Sequence, residues 1–376
     1  MKEFKFENKN IIILSPEKWG KNHVSKHHYT KELSKKNKVW FIESCGEVNI
    51  LENVIISSSE INNLYIVKYK QTLKGRRFLP NQFVSLLEKN IVKRILKKIN
   101  NEIDVVWSFD QFRFLNLKQF NSQIKIFHPV DITNSPSSQK SMIANSSDIV
   151  FHVSDYIVED IKTKKPIHFI QHGLSEEFLS PAKIDRPLFV LENKVNIGYV
   201  GNLINSYIDW ESLLKAVKEN TDINFVFIGP TLKSNISGSS KNQEKIDELK
   251  NQKNVTLAGE IESKFLAGIL VHFDMFWLCY DTHKFKKQVS NSHKIEYLST
   301  GKPIISNKVK MYEDSELFIQ LENNSDISYQ IKKVSSNIST YTSENEKKKR
   351  IEYSHRHTYQ NNLSKISNFI TQLCVK

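Results

Sequence analysis

Short apolar runs rich in β-branched residues alternate along this chain with longer segments in which apolar residues recur at helical spacing. Such alternation is typical of βαβ units and of parallel sheets. In the first half, strands are predicted at residues 11–14, 39–44, 64–69, 104–109, 124–128, 148–154 and 167–171. We expect these seven strands to form one open sheet.

A second series of apolar runs follows residue 194. Strands are predicted there at residues 195–201, 223–229, 255–259, 274–280, 302–306 and 317–321, with helices between them at 211–220 and 262–272. The last segment, about 344–373, begins with a charged run and then carries apolar residues at helical spacing. The pattern therefore predicts an α/β protein of two Rossmann-like halves joined near residues 180–194, followed by a final helix.

Composition narrows the class of protein. A chain of 376 residues with 39% hydrophobic and 25% charged residues suits a soluble globular protein of two domains. Its net charge of +13 favours anionic partners. The three cysteines lack CxxC spacing, the N-terminus lacks the apolar region of a signal peptide, and no apolar run is long enough to span a bilayer. We expect a cytoplasmic protein whose membrane contact, if any, is peripheral.

Glycines end several strands of the second half. Gly198 and Gly201 lie at the first strand of this half, Gly229 at the second and Gly259 at the third. Ligands of open α/β sheets bind at the carboxyl ends of the strands, where glycine lets the backbone approach a phosphate. The same glycines also suit any short βα loop, so both interpretations stay open.

The segment "NSHKIEYLSTGKPIISN", residues 291–307, places a cation and a carboxylate near the start of a predicted helix. Lys294 could add positive charge beside a diphosphate, and Glu296 could accept hydrogen bonds from the two hydroxyls of a ribose. An exposed Lys–Glu pair on an ordinary surface helix is the alternative.

Several motifs together resemble one enzyme class. "NSHKIEYLSTGKPIIS" resembles the donor-binding segment of GT-B fold glycosyltransferases, in particular the family four-like enzymes, and "IGYVGNLINSYIDWESLLKAV", "INFVFIGP", "NVTLAGEI" and "FDMFWLCY" precede it in the expected order. "SPEKWGKNHVSKHHYTKELSKKNKVWFIE" is similar to the first loop and helix of teichuronic acid type transferases. The likeness spans nearly the whole chain.

The resemblance implies an α/β GT-B fold, in which two Rossmann-like domains face each other across a cleft and a C-terminal helix crosses back to the first domain. The expected boundaries are 1–180 for an acceptor domain, 181–345 for a nucleotide-sugar donor domain and 346–376 for the returning helix.

The resemblance also implies roles for residues of the donor domain. Glu296 would hold the donor ribose. The other donor-binding residues would lie near the diphosphate or on the phosphate side of the cleft: Gly201, Asn202, Gly229, Ser292, His293 and Lys294. The chain departs from the family at Asn202, which replaces an arginine, and at Gln288, which replaces a glutamate. Charge for the phosphates would then come from Lys294, Lys287 or Lys286.

In the first domain, His128 and Asp131 occupy positions where the family places a polar residue near the transferred sugar, although His128 could equally be a core histidine. The loop "WGKNHVSKHH" would bring four residues to the acceptor side, or would be merely solvated: Gly20, Asn22, His23 and Lys26.

The resemblance implies a retaining transfer in which the departing diphosphate accepts the acceptor's proton. An inverting enzyme would need a base, for which Asp131 and His128 are the candidates. The chain contains no DxD motif, so we expect neither a metal nor a cofactor.

Residues 82–100 read as a basic amphipathic helix. Val84, Leu87, Ile91 and Ile95 form one apolar stripe, and Lys89, Lys93 and Lys97 form a basic one. This pattern favours contact with an anionic membrane surface, where a lipid-linked acceptor would lie. A crossover helix packed on its own sheet gives the same pattern.

Together these observations favour a glycosyltransferase, with hexosyl transfer expected, that moves a sugar from a nucleotide-sugar to a glycan or lipid-linked acceptor in cell-surface polysaccharide synthesis, on the inner face of the cell membrane. Two alternatives remain: a nucleotide-sugar epimerase of the same fold, and a basic nucleic-acid-binding protein. The second alternative is disfavoured because residues 82–100 offer one aromatic side chain for base stacking, Phe83. We therefore expect no nucleic-acid partner.

Overall fold

The computed structural model describes residues 3–43, 53–70, 78–204, 207–231, 240–281, 293–307, 316–321 and 324–373. The chain divides into two compact units. Unit 1 comprises Met1–Gly173 together with Tyr359–Lys376, and unit 2 comprises Leu174–Thr358.

The described part of unit 1 contains an eight-stranded sheet. Its strands are Asn10–Leu14 (β1), Lys38–Ile42 (β2), Val54–Ser58 (β3), Leu64–Tyr69 (β4), Val105–Ser108 (β5), Ile124–Phe127 (β6), Ile149–His152 (β7) and Ile167–Phe169 (β8). They lie in the order β3-β4-β2-β1-β5-β6-β7-β8. All neighbouring pairs are parallel except β3 with β4. The seven predicted strands are confirmed, and β3 is an additional antiparallel edge strand.

Helices cover this sheet. They are Ser25–Ser34 (α1), Asn81–Ile99 (α2), Ser137–Ser146 (α3) and Asp155–Val158 (α4), with a 3-10 helix at Leu117–Phe120. In α2, Val84, Ile91 and Ile95 are buried in one of the two hydrophobic clusters of unit 1, but Leu87 is 38% exposed. The predicted apolar stripe is therefore wrong at Leu87, and the rest of it packs α2 onto its own sheet.

Unit 2 contains a six-stranded parallel sheet among its described residues, in the order β11-β10-β9-β12-β13-β14. Its strands are Asn196–Val200 (β9), Asn224–Ile228 (β10), Val255–Gly259 (β11), Met275–Leu278 (β12), Ile304–Asn307 (β13) and Ile319–Leu321 (β14). Each coincides with a predicted strand.

The helices of unit 2 complete a doubly wound α/β layer structure around one continuous hydrophobic core. They are Glu176–Leu179 (α5), Trp210–Glu219 (α6), Ser240–Lys250 (α7), Ser263–Leu270 (α8), His293–Ser299 (α9), Ile327–Ser336 (α10), Ile338–Tyr341 (α11) and Glu344–His355 (α12), with a 3-10 helix at Asn324–Asp326.

The last helix, Tyr359–Leu373 (α13), belongs to unit 1. Ile366 and Ile370 are fully buried in the unit 1 core, and the side chain of Asn362 donates a hydrogen bond to the carbonyl of Gln171 at 2.8 Å. The predicted return of the C-terminal helix to the first domain is thus present. The chain leaves unit 1 after Gly173 and re-enters it at Tyr359, so α12 is part of unit 2.

Candidate functional site

In unit 2 the sheet order reverses between β9 and β12. From β9 the chain proceeds outwards to β10 and β11, and it then returns to β12 on the other side of β9. Ligands of open α/β sheets bind at the carboxyl ends of strands flanking such a switch point. Gly201 follows β9 directly, and α9 is the first described helix after β12.

The carboxyl ends of β9, β10 and β11 lie close together, and a glycine stands at each of them. The amide of Gly201 donates to the carbonyl of Ile228 at 2.9 Å, and the amide of Gly229 donates to the carbonyl of Gly259 at 2.8 Å. A Cβ atom on Gly229 would lie 2.1 Å from the carbonyl oxygen of Gly201. Any larger residue at 229 would have to displace backbone, so this edge of the sheet requires glycine at 229.

Asn202, the residue after Gly201, is exposed and shapes the loop. Its side-chain Oδ1 accepts a hydrogen bond from the amide of Ile204 at 2.8 Å. This short-range contact is an Asx-type turn, which fixes the direction in which the backbone leaves β9. At this position the structure therefore shows a side-chain amide that shapes the loop.

Tyr297 attaches α9 to the end of β9. Its hydroxyl accepts a hydrogen bond from the amide of Val200 at 2.7 Å, and its ring stacks on Phe276 with the ring centroids 4.1 Å apart. Just beyond α9, the buried guanidinium of Arg350 donates to the carbonyl of Gly301 at 3.0 Å. The C-terminal half of this short helix is thus held against the body of unit 2.

His293 and Glu296 form a polar pair on the first turn of α9. Nδ1 of His293 lies 2.6 Å from Oε2 of Glu296, and their side chains are 27% and 13% exposed. A spacing of three residues places both side chains on the same helix face. The pair is partly open to solvent, as a site for a polar ligand has to be.

Lys294 lies apart from that face. It is 1% exposed, and its ammonium lies 5.6 Å from the ring centroid of Phe318. Burial lowers the pKa of Lys294 well below its usual value. Adjacent helical residues differ by about 100° in direction, which takes Lys294 into the core while His293 and Glu296 face outwards. The expected diphosphate contact therefore fits His293 better than Lys294. Ser292, Gln288, Lys287 and Lys286 lie outside the described residues.

Unit 1 has its own switch point, between β1 and β5. There the ammonium of Lys26, only 1% exposed, pairs with Glu17 at 2.5 Å and with Asp131 at 3.0 Å. Burial alone would lower the pKa of Lys26, but the two carboxylates outweigh it and raise the pKa above its usual value. The structure thus brings together two predicted site residues in one charged cluster, Lys26 in the first turn of α1 and Asp131 on the loop after β6.

Gln111, which follows β5, holds the loop that carries Asp131. Its side-chain amide donates to the carbonyl of Asp131 at 2.7 Å, and its Oε1 accepts from the hydroxyl of Thr133 at 3.1 Å. These residues line a polar pocket of about 180 Å³ together with Ser135, Lys140, Tyr156 and Asp160. The pocket is large enough for a few hydroxyl-bearing carbon atoms.

His128 lies beneath this loop rather than in it. The residue is fully buried, and its ring packs among the aromatic rings of Tyr29, Trp107, Phe109 and Phe151. Burial lowers the pKa of His128 well below its usual value, with smaller contributions from His172 and His152. A neutral, enclosed imidazole fits the core alternative, which leaves Asp131 as the accessible member of the predicted catalytic pair.

The remaining predicted residues lie on the loop between β1 and α1. Gly20 and Asn22 are exposed, and a Cβ atom on Gly20 would meet no atom within 4 Å. His23 is half-buried and stacks on His27 with the ring centroids 5.2 Å apart. No steric demand therefore requires glycine at position 20, whereas His23 has a packing role.

Neither a metal cluster nor a membrane-spanning helix is found in the part of the chain that the structure describes. No three or more His, Cys, Asp or Glu side chains there are grouped so that they could hold a metal ion. None of the helices there combines the length and the apolar character that crossing a bilayer requires.

Similar folds occur among solved structures. HepE of Anabaena in complex with UDP and glucose superposes with a TM-score of 0.65 at 12% identity, covering 97% of this chain and 100% of that one. Sucrose-phosphate synthase of Thermosynechococcus elongatus gives 0.67 at 11% identity over 98% and 100% of the two chains. An α,α-trehalose 6-phosphate synthase of Burkholderia multivorans gives 0.69 at 8% over 98% and 98%.

The chain has the GT-B fold. No protein-family profile matches its sequence, and a comparison with curated protein sequences also finds no match. At identities of 8 to 12%, the structural likeness establishes the fold alone.

Within this GT-B fold, the positioning residues are the ones that sequence reasoning missed. These residues are Glu17, Gln111, Tyr297 and Arg350. The contacts of Gln111, Tyr297 and Arg350 are with residues 20, 97 and 49 positions away in the chain. Only the His293–Glu296 pair had a local signal, since its spacing of three residues could have been read from the helical period.

Proposed function

We propose that this chain is a glycosyltransferase that moves a sugar from a nucleotide-diphosphate donor to a glycan or lipid-linked acceptor. The observation that carries the proposal is the His293–Glu296 pair on α9, which Tyr297 anchors to the end of β9 beside the glycine edge. A carboxylate suits ribose hydroxyls, and exposed backbone without side chains suits phosphates. The solved HepE structure in complex with UDP-glucose, which has the same fold, adds support.

In this proposal unit 2 binds the donor. Glu296 accepts hydrogen bonds from the ribose, and His293 orients the carboxylate while its other ring nitrogen can face the diphosphate. Gly201, Asn202 and Gly229 form the edge along which the phosphates lie. Lys294 supports the helix from the inside.

Unit 1 binds the acceptor in the same proposal, through the polar pocket at Asp131. The buried Lys26 holds the Asp131 carboxylate in place, and Gln111 fixes the backbone of its loop. Gly20, Asn22 and His23 lie on the neighbouring loop. A retaining transfer would leave the acceptor proton to the departing diphosphate. If the transfer inverts configuration, Asp131 is the accessible base.

We place the reaction in cell-surface polysaccharide synthesis, at the cytoplasmic face of the membrane, and expect hexosyl transfer without metal or cofactor. This part of the proposal is supported by the likeness of the N-terminal segment to teichuronic acid type transferases and by the net charge of +13. A surface of that charge attracts anionic donors and anionic glycans or lipids.

The test is a donor panel. UDP-, GDP- and dTDP-sugars are incubated with the protein, and release of nucleotide, transfer and change of sugar identity are followed by mass spectrometry, with Glu296→Ala alongside. Transfer or slow hydrolysis of one donor, lost in the variant, supports the proposal. Interconversion of sugars without nucleotide release would instead indicate an epimerase. Failure to bind any donor, with salt-sensitive binding of duplex DNA, would indicate a nucleic-acid-binding protein.

A further inference from the structure

The start of α2 carries an exposed apolar patch. Phe83 and Leu86 are each 60% exposed, Leu87 is 38% exposed, and Leu79 just before the helix is 39% exposed. We define these four residues as the α2 patch. Isolated apolar side chains are common on protein surfaces, but a group of neighbouring ones marks an interaction site.

The helix beneath the patch is held firmly on its opposite face. Val84, Ile91 and Ile95 are buried against the sheet, and the side chain of Gln119 donates to the carbonyl of Ser85 at 2.9 Å. At the start of the helix, the side-chain amide of Asn81 donates to the hydroxyl of Ser138 at 3.1 Å. The α2 patch is therefore an exposed face of an anchored helix.

The exposed face of α2 continues from apolar to cationic residues. Phe83, Leu87, Arg94 and Lys97 follow one another at helical spacing, and Lys89, Lys93 and Lys98 are exposed beside them. The helix has one acidic residue, Glu88, which is 2% exposed because its carboxylate accepts the amides of Phe114 and Leu115 at 2.7 and 2.8 Å. The exposed side chains of α2 therefore include no carboxylate.

We propose that the α2 patch and the cations that follow it dock unit 1 onto an anionic lipid bilayer. A helix that lies in the plane of a membrane buries aromatic and leucine side chains among the acyl chains and places lysines and arginines at the headgroups. On the exposed face of α2, the first two turns are apolar and the later turns are cationic. This one face can therefore contact both the acyl chains and the headgroups. The proposal concerns a surface of unit 1 alone and holds whether or not the donor site is as proposed above.

Sedimentation with vesicles tests the proposal. The full chain is mixed with phosphatidylcholine vesicles, with or without phosphatidylglycerol, at low and at raised salt. We expect binding to the vesicles that contain phosphatidylglycerol, weakened by salt. The Phe83→Ser/Leu86→Ser variant should lose binding by at least about tenfold, since two buried apolar side chains are removed. Lys93→Gln/Lys97→Gln should weaken binding to the anionic vesicles.

Leu188→Ser is the matched control, because Leu188 is 98% exposed but belongs to unit 2. It should bind vesicles like the wild type. A Phe83→Trp variant also reports insertion, since brominated phosphatidylglycerol should quench its fluorescence more than that of the wild type, whose five tryptophans give the background. This variant also keeps the test decisive if the double variant fails to fold.

Three results would overturn the proposal. The first is that the wild type does not bind anionic vesicles. The second is that it binds neutral and anionic vesicles equally. The third is that Phe83→Ser/Leu86→Ser binds vesicles as tightly as the wild type does. Self-association that this variant abolishes, with no vesicle binding by the wild type, would assign the α2 patch to a second copy of the chain instead.

Discussion

Nδ1 of His293 lies 2.6 Å from Oε2 of Glu296, one helical turn along α9. If Glu296 holds the donor ribose, Glu296→Gln should weaken donor binding by about 10- to 100-fold, because a hydrogen bond to a charged group contributes about 1.5–3 kcal/mol. His293→Asn should have a smaller effect, since it removes the contact that orients Glu296 and one hydrogen bond to the diphosphate but keeps the carboxylate itself. Titration calorimetry with the donor selected by the panel measures both.

Glu352→Gln is the control for this pair, because Glu352 is an exposed acidic residue of unit 2 whose carboxylate lies 3.8 Å from the ammonium of Lys348. It should leave the donor Kd unchanged. If Glu296→Gln and the wild type bind the donor equally well, Glu296 does not hold the donor.

The burial of Lys294 predicts that this residue supports the fold of unit 2 and does not bind the donor. Lys294→Met should preserve donor affinity within about threefold, since the side chain faces Phe318 and the core rather than the pair on the outer face. Because burial lowers its pKa, the folded state binds fewer protons than the unfolded chain between the folded pKa and about 10.5. The wild type should therefore gain stability as the pH rises within this window, and Lys294→Met should lack that gain. If Lys294→Met instead loses as much donor affinity as Glu296→Gln does, Lys294 contacts the diphosphate.

The enclosure of His128 predicts acid sensitivity. Burial lowers the pKa of His128 well below 6.5 and that of His27 to about 4, so both imidazoles stay neutral in the folded state while the unfolded chain takes up protons. Stability should fall as the pH drops below about 6.5. His128→Phe should reduce this slope by up to one proton, or about 1.4 kcal/mol per pH unit. Urea unfolding at several pH values gives the slopes, and an unchanged slope would mean that His128 does not remain neutral in the folded protein.

In the charged cluster of Lys26, Glu17 and Asp131, we expect substitution of Lys26 to lower stability more than substitution of Asp131. Lys26→Met should lower the free energy of unfolding by about 1–3 kcal/mol, because it leaves Glu17 and Asp131 facing each other without a cation. Asp131→Asn leaves the Lys26–Glu17 pair in place and should cost less than about 1 kcal/mol, while transfer to the acceptor should fall. Comparing urea unfolding with single-turnover transfer separates the two. If Asp131→Asn proves as destabilising as Lys26→Met, the residue is structural.

The contact of Gly229 with Gly201 predicts an intolerant position. Gly229→Ala should destabilise unit 2 by about 3 kcal/mol or more, since its Cβ would lie 2.1 Å from a backbone oxygen at a φ of +141°. Gly20→Ala meets no atom within 4 Å and should change stability by less than about 0.5 kcal/mol. Thermal unfolding of the two variants side by side checks the difference, and near-equal melting temperatures would contradict it.

Most strands were predictable because they are buried on both faces, which gives continuous apolar runs in the sequence. All 13 predicted strands are present, and the missed β3 is an edge strand whose burial falls from Val54 to Ser58. At α2 the helical period located the helix correctly. It could not tell which apolar residues face the sheet, because Leu87 stands at helical spacing from the buried Val84 and Ile91 and is nevertheless 38% exposed at the edge of the buried face.

The sequence predicted which segments form the candidate site, but it did not predict how their side chains are oriented. The glycines and the HKIE segment were found from composition and order. The choice between His293 and Lys294 depends on a 100° rotation about the helix axis. That rotation is fixed by Tyr297 and by Arg350, whose contacts with Val200 and Gly301 span long stretches of chain. Long-range contacts of this kind leave no local pattern in one sequence.

The return of α13 to unit 1 has a consequence for how the protein is made. Unit 2 is continuous in sequence, so its residues 174–358 can complete their core as soon as they leave the ribosome. Unit 1 emerges first but lacks Ile366 and Ile370 until α13 has been synthesised, and both are fully buried in its core. The earlier-made unit can therefore complete its core only after unit 2 has been made, and until then its apolar surface beneath α13 is the part most exposed to aggregation.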